Sequence, residues 1–192
     1  MPFELFHFRE SEEIIKQKNM TEDVQVTLSY IDLALYGFLY KGPLLRQALE
    51  EMGWRGNGPI SILEGRRYQY KGLKKGVAIE GSFSAYEYVL EGLLRLQVGY
   101  DKGVIETGVL LLNGQRSEKT PYGSTAELVR SEVADLYPTI SMPVSIALFD
   151  LGTPDHYLQD GEGDPTRWRT HPDDYEFDRR EEDPRQDEKV EP

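Results

Sequence analysis

Lys74-Lys75-Gly76-Val77-Ala78-Ile79-Glu80-Gly81-Ser82-Phe83 opens the stretch that decides the fold, which continues to Asn113. Val77 to Phe83 reads as a strand that carries one acid, Glu80, among apolar neighbours. Behind it Tyr86, Val89, Leu90, Leu93, Leu94 and Gln97 recur at helical spacing, which predicts a helix with its apolar stripe on a sheet, stopped by Gly99. Val104 to Leu112 is aliphatic on both faces, the pattern of a strand covered from two sides. The order strand, helix, buried strand thus sets a carboxylate at the end of a buried strand.

Outward from this unit the chain alternates helix and strand signals. Ser11-Glu12-Glu13 and Thr21-Glu22-Asp23 each look like a helix start, with a capping hydroxyl and acids in the first turn. Val24 to Tyr40 fits two periods: Val24, Val26 and Leu28 alternate, whereas Val24, Leu28, Ile31 and Leu35 repeat helically, and the length favours a helix. Pro43 to Met52 reads as a helix stopped by Gly53, and Asn57-Gly58-Pro59 as a break. Ile60 to Leu63 and Tyr68 to Tyr70 read as strands, and Gly72 to Gly76 as a turn. Ser124 to Leu136 reads as a helix and Val144 to Phe149 as a last buried strand. The sum is an α/β or α+β mixed sheet flanked by helices.

Composition divides the chain. Of its 192 residues and net charge of −12, residues 151–192 hold 14 acids and six bases, a net of −8. With few aliphatics and Asp-Pro pairs at Asp164 and Asp183, this tail is expected to be disordered, and residues 1–150 to form one domain. The domain carries only −4, and Arg66, Arg67, Lys71, Lys74 and Lys75 cluster beside the strand that leads to Glu80. Such a cluster is either a phosphate-facing patch or a solvated hairpin edge guarded by lysines. The absence of cysteine excludes disulfides and thiolate metal sites. Met1 to His7 has no basic n-region or long apolar run, so neither a signal peptide nor a membrane span is expected, and the cytoplasm is the expected compartment. His7, His156 and His171 form no ligand set by spacing, and no Ser-His-Asp arrangement, Walker loop or Rossmann fingerprint occurs.

Lys74 to Glu80 with Phe83 and Tyr86, then Gly103-Val104-Ile105-Glu106-Thr107-Gly108-Val109, resembles the BglII and BstYI group of type II restriction endonucleases, built on the PD-(D/E)xK nuclease skeleton. The likeness extends to Leu44 to Trp54 and to Pro138 to Phe149, so that four blocks fall in order over roughly residues 21–151. The resemblance implies a restriction-endonuclease-like core, a homodimer on palindromic double-stranded DNA, and magnesium-dependent cleavage of phosphodiesters. Its catalytic positions carry over to Lys71, Glu80 and Ser82, where the group has an acid, an acid, and Glu or Gln. Of these only Glu80 is an acid here; an ammonium repels a divalent cation and a serine is a weak ligand. The group's DNA-facing lysine falls at Ala85.

Three functional readings follow. The first is a DNA-recognising protein for restriction or defence that keeps the fold with impaired or lost cleavage, Glu80 being a leftover acid or a partner of Lys71. Its DNA contacts would come from Arg66, Arg67, Lys74 and Lys75 and from Thr120, Tyr122, Ser124 and Thr125, in a loop that also reads as an ordinary polar connection with a helix cap at Ser124. The second is an active magnesium-dependent nuclease whose ligands have moved, with Glu64, Glu87 or Glu91 joining Glu80. The third is a protein-interaction module whose acidic tail, bearing Trp168, Tyr175 and Phe177, presents carboxylates to a basic groove or a protein partner.

Overall fold

The computed structural model describes residues 3–38, 41–56, 60–63, 65–66, 68–83, 89–114 and 124–152. They form β1 (Phe3–Phe8), α1 (Ser11–Gln17), α2 (Thr21–Leu35), α3 (Lys41–Glu51), β2 (Gly72–Lys74), β3 (Val77–Glu80), α4 (Val89–Asp101), β4 (Thr107–Asn113), α5 (Ala126–Asp135) and β5 (Val144–Phe149). The strands make one sheet in the order β1-β5-β4-β3-β2. Its three central strands, β3, β4 and β5, are parallel, and both edges are antiparallel.

Strand alternation sorts the core onto two faces. Val77, Ile79, Val109, Leu111, Ala147 and Phe149 point to one side, where Ile15, Leu28, Ile31, Leu45 and Leu49 of α1, α2 and α3 cover them. Ala78, Leu110, Leu112, Val144 and Ile146 point to the other, against Val89, Leu93 and Leu96 of α4 and Val129 and Val133 of α5. Two crossovers stepping in one direction along the sheet, β3-α4-β4 and β4-α5-β5, place both helices on one face. The N-terminal helices fill the other. The mixed sheet flanked by helices is the expected fold class.

The two-period segment is helical because Val24, Thr27, Leu28, Ile31 and Leu35 are its buried residues, a 3–4 spacing, and the helix closes at Leu35 rather than near Tyr40. Gly72 to Lys74, expected as a turn, is the edge strand β2, which leaves the turn to Lys75 and Gly76, both at positive φ. Ile60–Leu63 and Tyr68–Tyr70 pair only through the bridge Ser61–Gln69 and two flanking backbone hydrogen bonds. β1 carries no sequence signal used above: its burial does not alternate, and it is recruited as an edge by antiparallel pairing with β5. Leu151 is fully buried in the first core, and the acidic segment lies outside the described residues from residue 153 on.

Candidate functional site

The strand that carries Glu80 ends there rather than at Phe83, and its termination is built into the backbone. Gly81 has φ +117°, and a Cβ at this residue would lie 2.3 Å from the Leu111 carbonyl oxygen. Phe83, at φ +58°, is buried edge-on against Phe149 and its carbonyl accepts from Asn113 Nδ2 at 2.8 Å. The chain therefore leaves the sheet immediately after the carboxylate, through two residues in conformations that L side chains rarely adopt.

Glu80 lies on the α4 side of the sheet, in register with Leu110 of β4, and its side chain is 1% exposed. Such a carboxylate requires a partner. Arg95, on the second turn of α4, supplies it: Nη1 donates to Glu80 Oε1 at 3.0 Å, while Nη2 donates to Glu91 Oε1 at 2.5 Å. The guanidinium, 32% exposed, thus spans two acids, one buried on the sheet and one exposed a turn earlier on its own helix. Burial pushes the Glu80 carboxyl above the usual range; Arg95, Lys71 and the Gly81 N–H pull the other way without cancelling it.

Glu80 Oε2 is buried without a hydrogen-bond partner, and so is the Tyr70 hydroxyl. Burial and then the Glu80 charge raise the Tyr70 hydroxyl to about 12. That hydroxyl occupies the place where a side chain on residue 99 would be, so this position, which lies inside α4 instead of ending it, has room only for glycine.

Lys71 immediately precedes β2, and its N–H donates to the carbonyl of Ile79, the neighbour of Glu80, at 3.0 Å. It acts on Glu80 through its charge, while the direct ion pair of Glu80 is with Arg95, a residue the sequence reading did not name. Ser82 follows Gly81 in the irregular segment after β3. Among the described residues no three His, Cys, Asp or Glu side chains converge as a metal-ion ligand set. A hard divalent cation takes six or so oxygen ligands. Among the described residues, one buried carboxylate ion-paired to a guanidinium and acted on by the charge of Lys71 does not fit it.

The expected DNA-facing residues are dispersed in role. Arg66 and Lys75 are exposed. Lys74 is engaged, 3.0 Å from Asp23 Oδ1 and stacked over the Trp54 ring. The α5 cap is Thr125, whose hydroxyl accepts from the Leu128 N–H at 3.1 Å, and not Ser124, whose N–H donates to the Asn113 carbonyl. Glu64, Arg67, Ala85, Glu87, Thr120, Tyr122, His156 and His171 lie outside the described residues. His7 instead bonds Ser145, which donates on to Ser11. Both serines are fully buried, so this chain ties β1, β5 and α1 together. Sequence reasoning missed Arg95 and Tyr70; an arginine four residues after Glu91 on a predicted helix was the available signal.

No family model matches this chain, and no curated protein matches it. Solved structures do. The crystal structure of the restriction endonuclease BglII complexed with a DNA 16-mer aligns with a TM-score of 0.58 at 13% identity, covering 78% of each chain. That of free BglII aligns with a TM-score of 0.52 at 15% identity, covering 78% of this chain and 80% of that one. The chain has a restriction-endonuclease fold. A restriction-endonuclease fold of this size confirms the architecture that the four sequence blocks implied, while function has to be argued from the site. No helix among the described residues is long and apolar enough to cross a membrane.

Proposed function

We propose that this protein recognises double-stranded DNA, as a homodimer, in DNA restriction or defence, with phosphodiester cleavage impaired or lost. One observation carries this reading: the carboxylate at the end of β3 is buried and ion-paired to Arg95, in a fold shared with a DNA-bound endonuclease. Cleavage of the kind found on this fold draws on carboxylates that gather around a metal ion to activate water and stabilise charge on phosphorus. Lys71 and Ser82 stand where the resemblance called for further ligands. Recognition has no such requirement, since basic side chains and backbone donors suffice to hold phosphates. Arg66 and Lys75 are exposed cations.

A second reading, an active nuclease with relocated ligands, draws on the approach of Glu91 and Glu80 to one cationic group. Cleavage of mixed-sequence plasmid and genomic DNA with magnesium or manganese, beside a Glu80→Ala control, separates the two. Binding without cutting is the expected result. Cutting that disappears in the control would establish the second reading, and neither binding nor cutting would move attention to the acidic tail as a protein-interaction segment. Bound DNA should show a steep salt dependence that weakens when Lys71, Lys74 and Arg67 are neutralised.

A further inference from the structure

We propose that Arg95 is the permanent counter-ion of Glu80 and closes this position to divalent cations. The inference deepens the reading of a non-cleaving protein, and it concerns the protein alone. Glu80 has two oxygens at the head of the buried strand; Oε1 is taken by Arg95, and Oε2 is buried with no hydrogen-bond partner. An orphan carboxylate oxygen is the natural place to look for a metal ion. Here, however, such an ion would share its carboxylate with a guanidinium at 3.0 Å and would also meet the positive charge of Lys71, which acts on the same carboxylate. Both cations repel it, the guanidinium at short range, in surroundings where charges are weakly screened.

Arg95 is also poorly placed to withdraw. Its other amino group is held by Glu91, an i,i+4 partner on the same helix, so the guanidinium is gripped from both sides on a rigid element. Leu93 and Leu96, the residues flanking that turn, are fully buried and fix the helix on the sheet. The two acids and the two cations balance, which removes the excess negative charge that would draw a divalent ion in.

The test is manganese binding to the full-length protein, followed by electron paramagnetic resonance, without DNA. The wild type is compared with Glu80→Gln, so that weak uptake by the acidic tail is common to both. The two isotherms should coincide. One additional bound ion in the wild type would overturn the proposal, whichever residue completes the site. In the other direction, Lys71→Asp combined with Arg95→Gln should gain a manganese site at least tenfold tighter than any in the wild type and lost again on adding Glu80→Gln. A folded double variant without that gain would show that something other than these two charges closes the position. Because no DNA is present, failure of the DNA-binding reading and failure of this inference are read out separately.

Discussion

Replacing Arg95 with methionine keeps an unbranched stem on α4 but strands a carboxylate whose side chain is 1% exposed. Removing one partner of a buried ion pair costs about 3–5 kcal/mol, because the remaining charge stays desolvated. Arg95 is itself about one-third exposed, so part of its charge already interacts with water, and the figure falls to about 2–3 kcal/mol. At about 2–4 °C per kcal/mol for a chain of this size, the melting temperature should drop by about 5–10 °C at pH 7. Urea and thermal denaturation of the wild type, Arg95→Met, Glu80→Gln and the double variant complete a double-mutant cycle. In the Glu80→Gln background the arginine should be nearly dispensable. The deficit should also shrink as the pH is lowered, because protonation of Glu80 removes the charge that Arg95 compensates. A deficit below about 0.5 kcal/mol at pH 7, or one equally large in the Glu80→Gln background, would refute the argument.

Three further outcomes follow from the same geometry. Since the folded-state Glu80 carboxyl is raised above its ordinary 4.5, its contribution to stability is complete below that pH and is lost as the pH rises through the folded value; Glu80→Gln should therefore gain on the wild type between acidic and neutral pH, and parallel stability curves would contradict this. Gly81→Ala puts a methyl 2.3 Å from the Leu111 carbonyl oxygen at φ +117° and should cost about 3 kcal/mol or more by urea denaturation, where a wild-type midpoint would disprove the backbone constraint. Trp54→Phe removes the donor that reaches Thr27 Oγ1 at 2.8 Å in the first core, at a cost of about 1–3 kcal/mol. Adding Thr27→Val, which removes the stranded hydroxyl, should restore part of it in the same denaturation assay.

By itself the sequence determined what repeats locally. The period of 3.6 in α2 and α4, the two-sided apolar runs of β4 and β5, and the lone acid at the end of β3 are all written in residue type and spacing, because burial of one or both faces constrains every turn or every second residue. Those periods gave the mixed sheet with its flanking helices and marked Glu80 as the residue to explain. Tertiary structure alone decided what Glu80 is paired with. Lys71 is closer in sequence, at nine residues, and its N–H bonds the residue next to Glu80, yet the packing of α4 on the sheet brings Arg95, 15 residues away, to the carboxylate. The same packing placed Gly99 under the Tyr70 hydroxyl, so a glycine that reads as a helix stop became a helix interior residue. β1 and β2 likewise became strands because open sheet edges offered them backbone hydrogen bonds, a reward that depends on neighbours distant in the chain and leaves little trace in local pattern.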